Sequence, residues 1–468
     1  MSDQVIGAIF SAAFLASILR VTTPILLPSM GALISGAAGV LNIGLEGMML
    51  ASAFTGVAVS AYSMEWFGPE TGAVIGPWVG MAAGVLVAVL MALLLGFFHL
   101  RLKTNLVLTG IAINILGGAA TVALMFELTG DRGATTRLAS LQMPFIQLPE
   151  FINQIPLIGE FIYGVFNNQN VMTWIAFISV GLVSYLMYRT TFGMHLRAVG
   201  ENQSAAESVG INVNRTKYYA LILSGVFAGL GGIFMSMGFL SIFQANMTVG
   251  RGFIALATPL LGGGTPVGTM FASLVFGFFG ALSIRLGTLA IPPEMTAMIP
   301  YVATIMALVI YALNTQQSQR VRALRAAEGE GFNAAYWKAI QRLSLLHVVL
   351  AMVAMIGFLI AICLFAAPDG FGGVEQAYPL AIGLTLGSAI LVGMELPFIR
   401  RVQLIERQVL ASAVVCTVSL GVFIALFLSL FFDVPAAVGI ALLLGLAAWL
   451  VLGGWSLIQR RRTLQPAT

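Results

Sequence analysis

Apolar runs of about twenty residues recur along the whole chain, and a run of that length crosses the ~30 Å hydrocarbon layer of a bilayer as a helix. They fall near 4–19, 22–37, 40–64, 73–98, 104–126, 171–189, 217–240, 252–262, 267–283 and 296–313. Four more follow near 344–366, 377–396, 409–432 and 435–458. This pattern dictates an all-α polytopic membrane protein. The strands of a closed barrel alternate apolar and polar residues, whereas these runs are solidly apolar. Only 9% of the residues are charged, against roughly a quarter in a water-soluble domain. The start, MSDQVIGAIFSAAFLASILR, lacks a basic n-region and a small-x-small cleavage site, and reads as a first membrane helix.

Lys and Arg orient the spans, because cytoplasmic loops collect positive charge. With the N-terminus inside, 17 of the 22 basic residues fall in inner segments and 5 (Arg20, Arg132, Arg137, Arg251 and Arg285) fall outside. The C-terminus is then inside as well. The net charge of +4 is dispersed among these loops and implies no nucleic acid. Cys363 and Cys416 both lie in apolar runs, which argues against a disulfide or a zinc site. His99, His195 and His347 form no metal constellation, and none pairs with a Ser or Cys in a catalytic pattern. We expect no catalytic residue, no metal and no cofactor.

The polar, basic stretch 316–343 separates a ten-span core, 1–315, from a four-span extension, 344–468. Within the core two pairs of runs read as short helical hairpins. The first descends through 22–37, turns at SGAAGVLN and returns through 43–64. The second descends through 252–262, turns at GGGTP and returns through 267–283, with Thr265 as cap and Pro266 at the first helical position. A shift of 221 residues lays GMMLASAFTG (47–56) over GTMFASLVFG (268–277) with five of ten identities. Spans 1–4 and 7–10 also share one order, so a parallel internal repeat is expected. The long outer segment 127–170 offers a platform for an external partner.

Polar groups inside the spans are functional candidates because burying them is costly. Asn42 and Glu46 lie four residues apart, on one helical face. If Asn42 caps the returning helix, Glu46 sits in its first turn, where the helix dipole favours a carboxylate. The repeated copy carries Val267 at that place, and the orientation puts Glu46 toward the inner side. A structural role is favoured over a ligand or gate. Asn105, Thr109 and Asn114 share a span without charge; they suit hydroxyls or base edges, or bonds between helices. These five residues form the candidate substrate pathway. Phe126, Trp174 and Tyr163 read as an outer aromatic belt.

Between spans six and seven lies FGMHLRAVGENQSAAESVGINVNRTKYYALILSG (192–225), polar and flanked by membrane helices. ENQSAAESVG reads as a short exposed helix with Ala205 and Ala206 on a smooth face and Gly210 closing its C-terminus. Such a helix can dock in a groove of a soluble partner.

GMHLRAVGENQSAAESVGI resembles the coupling loop of permease subunits in the ATP-binding-cassette importers for branched-chain amino acids, ribose and nucleosides. TPILLPSMGALISGAAGVLNIGLEGMMLASAF (23–54) and GRGFIALATPLLGGGTPVGTMFASLVFG (250–277) resemble the branch serving simple sugars and nucleosides. By position, Arg197, Ala198, Gly200, Glu201, Asn202, Ala205, Ala206, Gly210 and Ile211 map onto that coupling loop. The resemblance implies a pore of two homologous permease subunits, identical or not, in a bacterial inner membrane. It also implies a cytoplasmic ATPase subunit and an external substrate-binding lipoprotein. No GxxxxGK[ST] occurs in the chain, so ATP chemistry falls to a partner. A nucleoside is the first expectation for the substrate and a simple sugar the second. Residues 344–468 depart from the family and read as a lipid-facing accessory bundle. Two other classes stay open at this point: a stand-alone ion-coupled transporter with Glu46 as its carboxylate, and a membrane scaffold or sensor.

Overall fold

The computed structural model describes residues 12–286 apart from 139, 151, 152 and 154–158, together with Ile382. The run at 296–313, the stretch 316–343 and, Ile382 aside, the four C-terminal runs lie outside the described residues. Among the described residues seven helices are long and apolar enough to cross a membrane. The helices are α1 (Ala12–Ala37), α2 (Leu45–Phe67), α3 (Pro69–Gly96) and α4 (Leu106–Thr129), then α5 (Gly159–Phe166) and α6 (Val171–Arg189). They continue with α7 (Thr191–Glu201), α8 (Gln203–Ser208), α9 (Val213–Ile233), α10 (Arg251–Leu261) and α11 (Pro266–Leu286). Single π turns extend α3 through Phe97–Arg101 and α9 through Phe234–Phe239.

The first two apolar runs are one helix, which corrects the expectation of a span ending near residue 19 and a short arm at 22–37. α1 continues through Pro24 and Pro28. Its polar interruption is satisfied from within the protein: Arg20 Nε donates to Gln169 Oε1 at 3.3 Å, and Thr23 Oγ1 to the Leu19 carbonyl at 2.8 Å. Prolines in membrane helices persist where hydroxyls and neighbouring helices satisfy the freed backbone. α1, α2 and α9 are mostly buried and form the centre, with α3, α4 and α6 outside them. The centre closes on small residues, as helices do in lipid. A Cβ on Gly232 of α9 would lie 2.1 Å from the Met49 carbonyl, and one on Gly31 of α1 would lie 2.8 Å from the Ser224 carbonyl.

At the end opposite α7 and α8, the segment after α4 folds back onto the residues after α9. Phe145–Ile146 (β1) pairs antiparallel with Gln169–Asn170 (β2). Thr135 N–H donates to the Phe243 carbonyl at 2.9 Å and Met143 N–H to the Met237 carbonyl at 2.8 Å. α10 and α11 meet at a tight turn in which Gly263 and Gly264 have φ of 64° and 68°. Thr265 Oγ1 accepts from the Gly268 N–H at 3.1 Å, as the Thr-Pro pair led us to expect.

Candidate functional site

Residues 190–212 are a chain of capped short helices. Thr190 Oγ1 accepts from Gly193 N–H at 3.1 Å and starts α7. Asn202 Oδ1 accepts from Ala205 N–H at 3.1 Å and starts α8. Gly210, at φ 83°, ends α8, and Asn212 Oδ1 accepts from Arg215 N–H at 3.0 Å to start α9. Each cap satisfies a backbone group that the helix leaves orphaned. The segment is thereby a rigid elbow between α6 and α9.

Arg197, Gly200, Glu201, Asn202, Ala205 and Gly210 are exposed on it. Ala206 is not: it is buried with Val199 and Val213, and Ala198 and Ile211 pack against that cluster. Successive helical residues point about 100° apart, so Ala205 faces out while Ala206 anchors the helix, and the expected smooth face of both alanines is absent. Arg197 lies over the Tyr188 ring at 5.3 Å. Val209 is 75% exposed and Met194 54%, leaving apolar surface at the end of a polar elbow. A groove of about 410 Å³ opens beside it, lined by Phe192, His195, Ile211, Arg215 and Tyr219 among others.

Gly200 also touches the core. A Cβ there would lie 2.0 Å from the Ala37 carbonyl at the end of α1. The elbow therefore bears directly on the turn 38–44 that leads into α2.

That turn and the first turn of α2 hold a dense polar hub. Glu46 is 7% exposed. Its Oε1 accepts from Thr248 Oγ1 at 2.5 Å and Gly250 N–H at 2.8 Å, and its Oε2 from Gly252 N–H at 2.6 Å. A carboxylate, acceptor-only, matches a site made wholly of donors. It sits between two helix N-termini, those of α2 and α10, where negative charge is favoured. Asn42 does not cap α2. Its Oδ1 accepts from Gly44 N–H at 3.1 Å and its Nδ2 donates to Ser224 Oγ at 2.9 Å. The cap is supplied from α4: Asn114 Oδ1 accepts from Gly47 N–H at 2.8 Å, and Asn114 Nδ2 donates to the Ile43 carbonyl at 2.9 Å.

The hub is level with the middle of α4. A Cβ on Gly117 would meet the Gly47 carbonyl at 2.4 Å, and Gly117 is the twelfth of the 24 residues of α4. At about 1.5 Å per residue, Glu46 is then roughly 17 Å from either end of that helix. Asn105 and Thr109 are elsewhere, at the start of α4. Asn105 Oδ1 accepts from Val107 N–H at 2.9 Å and from Leu108 N–H at 3.3 Å, and Thr109 Oγ1 donates to the Asn105 carbonyl at 2.9 Å. The structure thus brings Asn42, Glu46 and Asn114 together and leaves Asn105 and Thr109 at a helix end. The missed partners are Ser224, Thr248, Gly250 and Gly252, because no local pattern pairs residues some two hundred positions apart. The only linear hint was a donor-rich TVGRG facing no acid of its own.

Relatives of known description match most of the described residues. A nucleoside ABC transporter permease of Lactococcus lactis is 30% identical over 302 residues, covering 63% of this chain and 91% of the relative. A guanosine ABC transporter permease of Bacillus subtilis is 33% identical over 293 residues, covering 61% and 87%. A ribose import permease of Escherichia coli is 30% identical over 239 residues, covering 50% and 70%. No solved structure matches. The family described as the branched-chain amino acid transport system / permease component matches residues 14–308, and this chain belongs to it.

Proposed function

We propose that the chain is the membrane-spanning permease subunit of a binding-protein-dependent ATP-driven importer for nucleosides, with a simple sugar as the second substrate choice. The observation that carries this reading is the elbow 190–212, a rigid, capped, solvent-exposed pair of helices that touches the core at Gly200. Arg197, Ala198, Gly200, Glu201, Asn202, Ala205, Ala206, Gly210 and Ile211 form it or brace it. An ATPase subunit docks on its exposed face, and closure of two ATPases draws together the elbows of two permease subunits. The relatives' names support the substrate class.

The termini face the cytoplasm of a bacterial cell, and the membrane is the inner one. An external lipoprotein delivers substrate to the opposite end. Residues 1–315 are the permease core with its internal repeat, 316–343 a cytoplasmic linker, and 344–468 an accessory bundle among lipids. The ion-coupled alternative needs a carboxylate free to exchange an ion at mid-depth. Glu46 has the depth, but both of its oxygens are occupied by donors.

Charge reversal at a docking surface costs several kcal/mol, so Glu201→Lys is expected to lower uptake by roughly tenfold or more while the ATPase keeps hydrolysing ATP. Uptake and hydrolysis measured side by side in membrane vesicles check this. Unchanged uptake contradicts the docking assignment.

A further inference from the structure

Between α9 and α10 the backbone from Leu240 to Gly250 runs without helix, in bends, turns and one isolated bridge. Its depth can be read from its neighbours. Phe243 meets Phe54 edge-on with centroids 5.4 Å apart. Phe54 lies nine residues into α2, about 14 Å from its start at 1.5 Å per residue. Five residues after Phe243, Thr248 is on Glu46, level with the middle of α4. The segment therefore runs from beside Gly133–Thr135, just past the end of α4, where Ala245 N–H donates to the Gly133 carbonyl at 2.9 Å, to the level of the middle of α4 at Thr248.

Irregular backbone persists at such depth only where it is buried in protein or lines a water-filled cavity. One face of the segment is buried: Phe243, Met247 and Thr248 point into the protein. The other face is exposed and carries Gln244, Asn246 and Val249, with Phe253 beside them on the first turn of α10. Amide side chains turned to lipid would forfeit hydrogen bonds worth several kcal/mol each. Water is the surrounding that satisfies Asn246 beside the hub and Gln244 above it.

The shape of the turn points the same way. Asn246 and Val249 have φ of 57° and 43°, a left-handed conformation that is strained for a β-branched residue such as Val249. Glu46 holds it there, gripping residues 248, 250 and 252 around it. Strain sustained by surrounding structure is characteristic of sites that must present groups in fixed positions.

We propose that Gln244, Asn246 and Phe253 line the aqueous passage of the permease, from the end of α4 down to the Glu46 hub, and contact the substrate there. The inference rests on the permease reading above and adds the residues and the character of the path. Two neutral amides and one aromatic face suit an uncharged solute with hydroxyls or base edges. The nearby charges are engaged: Glu46 accepts from three donors, and Arg251 Nη1 donates to the Met247 and Thr248 carbonyls, each at 3.3 Å.

The test uses the complete transporter in vesicles, with Cys363→Ser and Cys416→Ser removing the two native thiols. Asn246→Cys and Gln244→Cys are introduced singly, with Ile115→Cys on the outer face of α4 as the lipid-facing control. A sulfonate-bearing methanethiosulfonate reads water access, since thiol reaction rates follow exposure. Both site variants are expected to react at least roughly tenfold faster than the control, because only a wetted thiol meets this reagent. Labelling at 246 is expected to abolish uptake of radiolabelled uridine or ribose while ATP hydrolysis continues. Rates equal to the control overturn the inference. So does reaction in the isolated chain but not in the assembled transporter, which makes the face an interface between subunits. If the unlabelled transporter carries neither probe, the substrate reading fails separately, and the labelling rates still decide whether the face is wet.

Discussion

Glu46 is the residue through which the first turn of α2 holds the start of α10. Hydrogen bonds to a charged group contribute about 1.5–3 kcal/mol each, and a buried network counts as a unit. Glu46→Gln keeps the shape but turns an amide NH2 toward a backbone N–H that it cannot accept from. The variant is expected to lose about 2 kcal/mol of stability, and Glu46→Ala about 3–5 kcal/mol. Thermal unfolding of the purified transporter measures both, and unchanged melting temperatures contradict the hub. The sequence pointed to a structural carboxylate in a helix's first turn, and Glu46 is indeed in the first turn of α2. It misplaced the partner, because Asn42 is the nearer capping residue in sequence whereas Asn114 reaches the same backbone across a helix contact. Hydropathy along a chain also carries no helix-to-helix register, so the packing of this turn on the middle of α4 was not legible.

At the scale of elements, the elbow and α1 are joined at one point. Gly200 lets α7 approach the Ala37 carbonyl more closely than any side chain permits. Gly200→Val is expected to lift the elbow from α1 and to cut uptake by roughly tenfold, with surface expression retained, because a well-packed contact cannot absorb added carbons without displacement. Immunodetection and uptake in the same cells check it, and normal uptake shows that motion does not pass through this contact. The cap at Thr265 was read from the sequence, since it depends on residues three positions apart, and Asn202 and Asn212 cap in the same local way. The join between the first two apolar runs was not. The polar stretch around Arg20 looks like a turn until Gln169, distant in sequence, accepts its hydrogen bond.

At the scale of the molecule, an elbow at one end, a carboxylate hub level with the middle of α4 and an irregular segment above it lie in sequence. The elbow touches the end of α1 and the turn 38–44 at Gly200, and Glu46 ties the start of α2 to that of α10. The polytopic helical character followed from apolar run length alone. The inward fold of the outer segment onto residues 237–244 did not, because its pairing partners are about a hundred residues away. The central claim is that this chain moves solute only as part of an ATP-driven assembly. Reconstituted vesicles test it directly, with uptake of nucleoside or ribose measured for the chain alone under proton and sodium gradients and again with its ATPase and binding protein plus ATP. Uptake is expected only in the second case. Uptake by the chain alone on an ion gradient contradicts it.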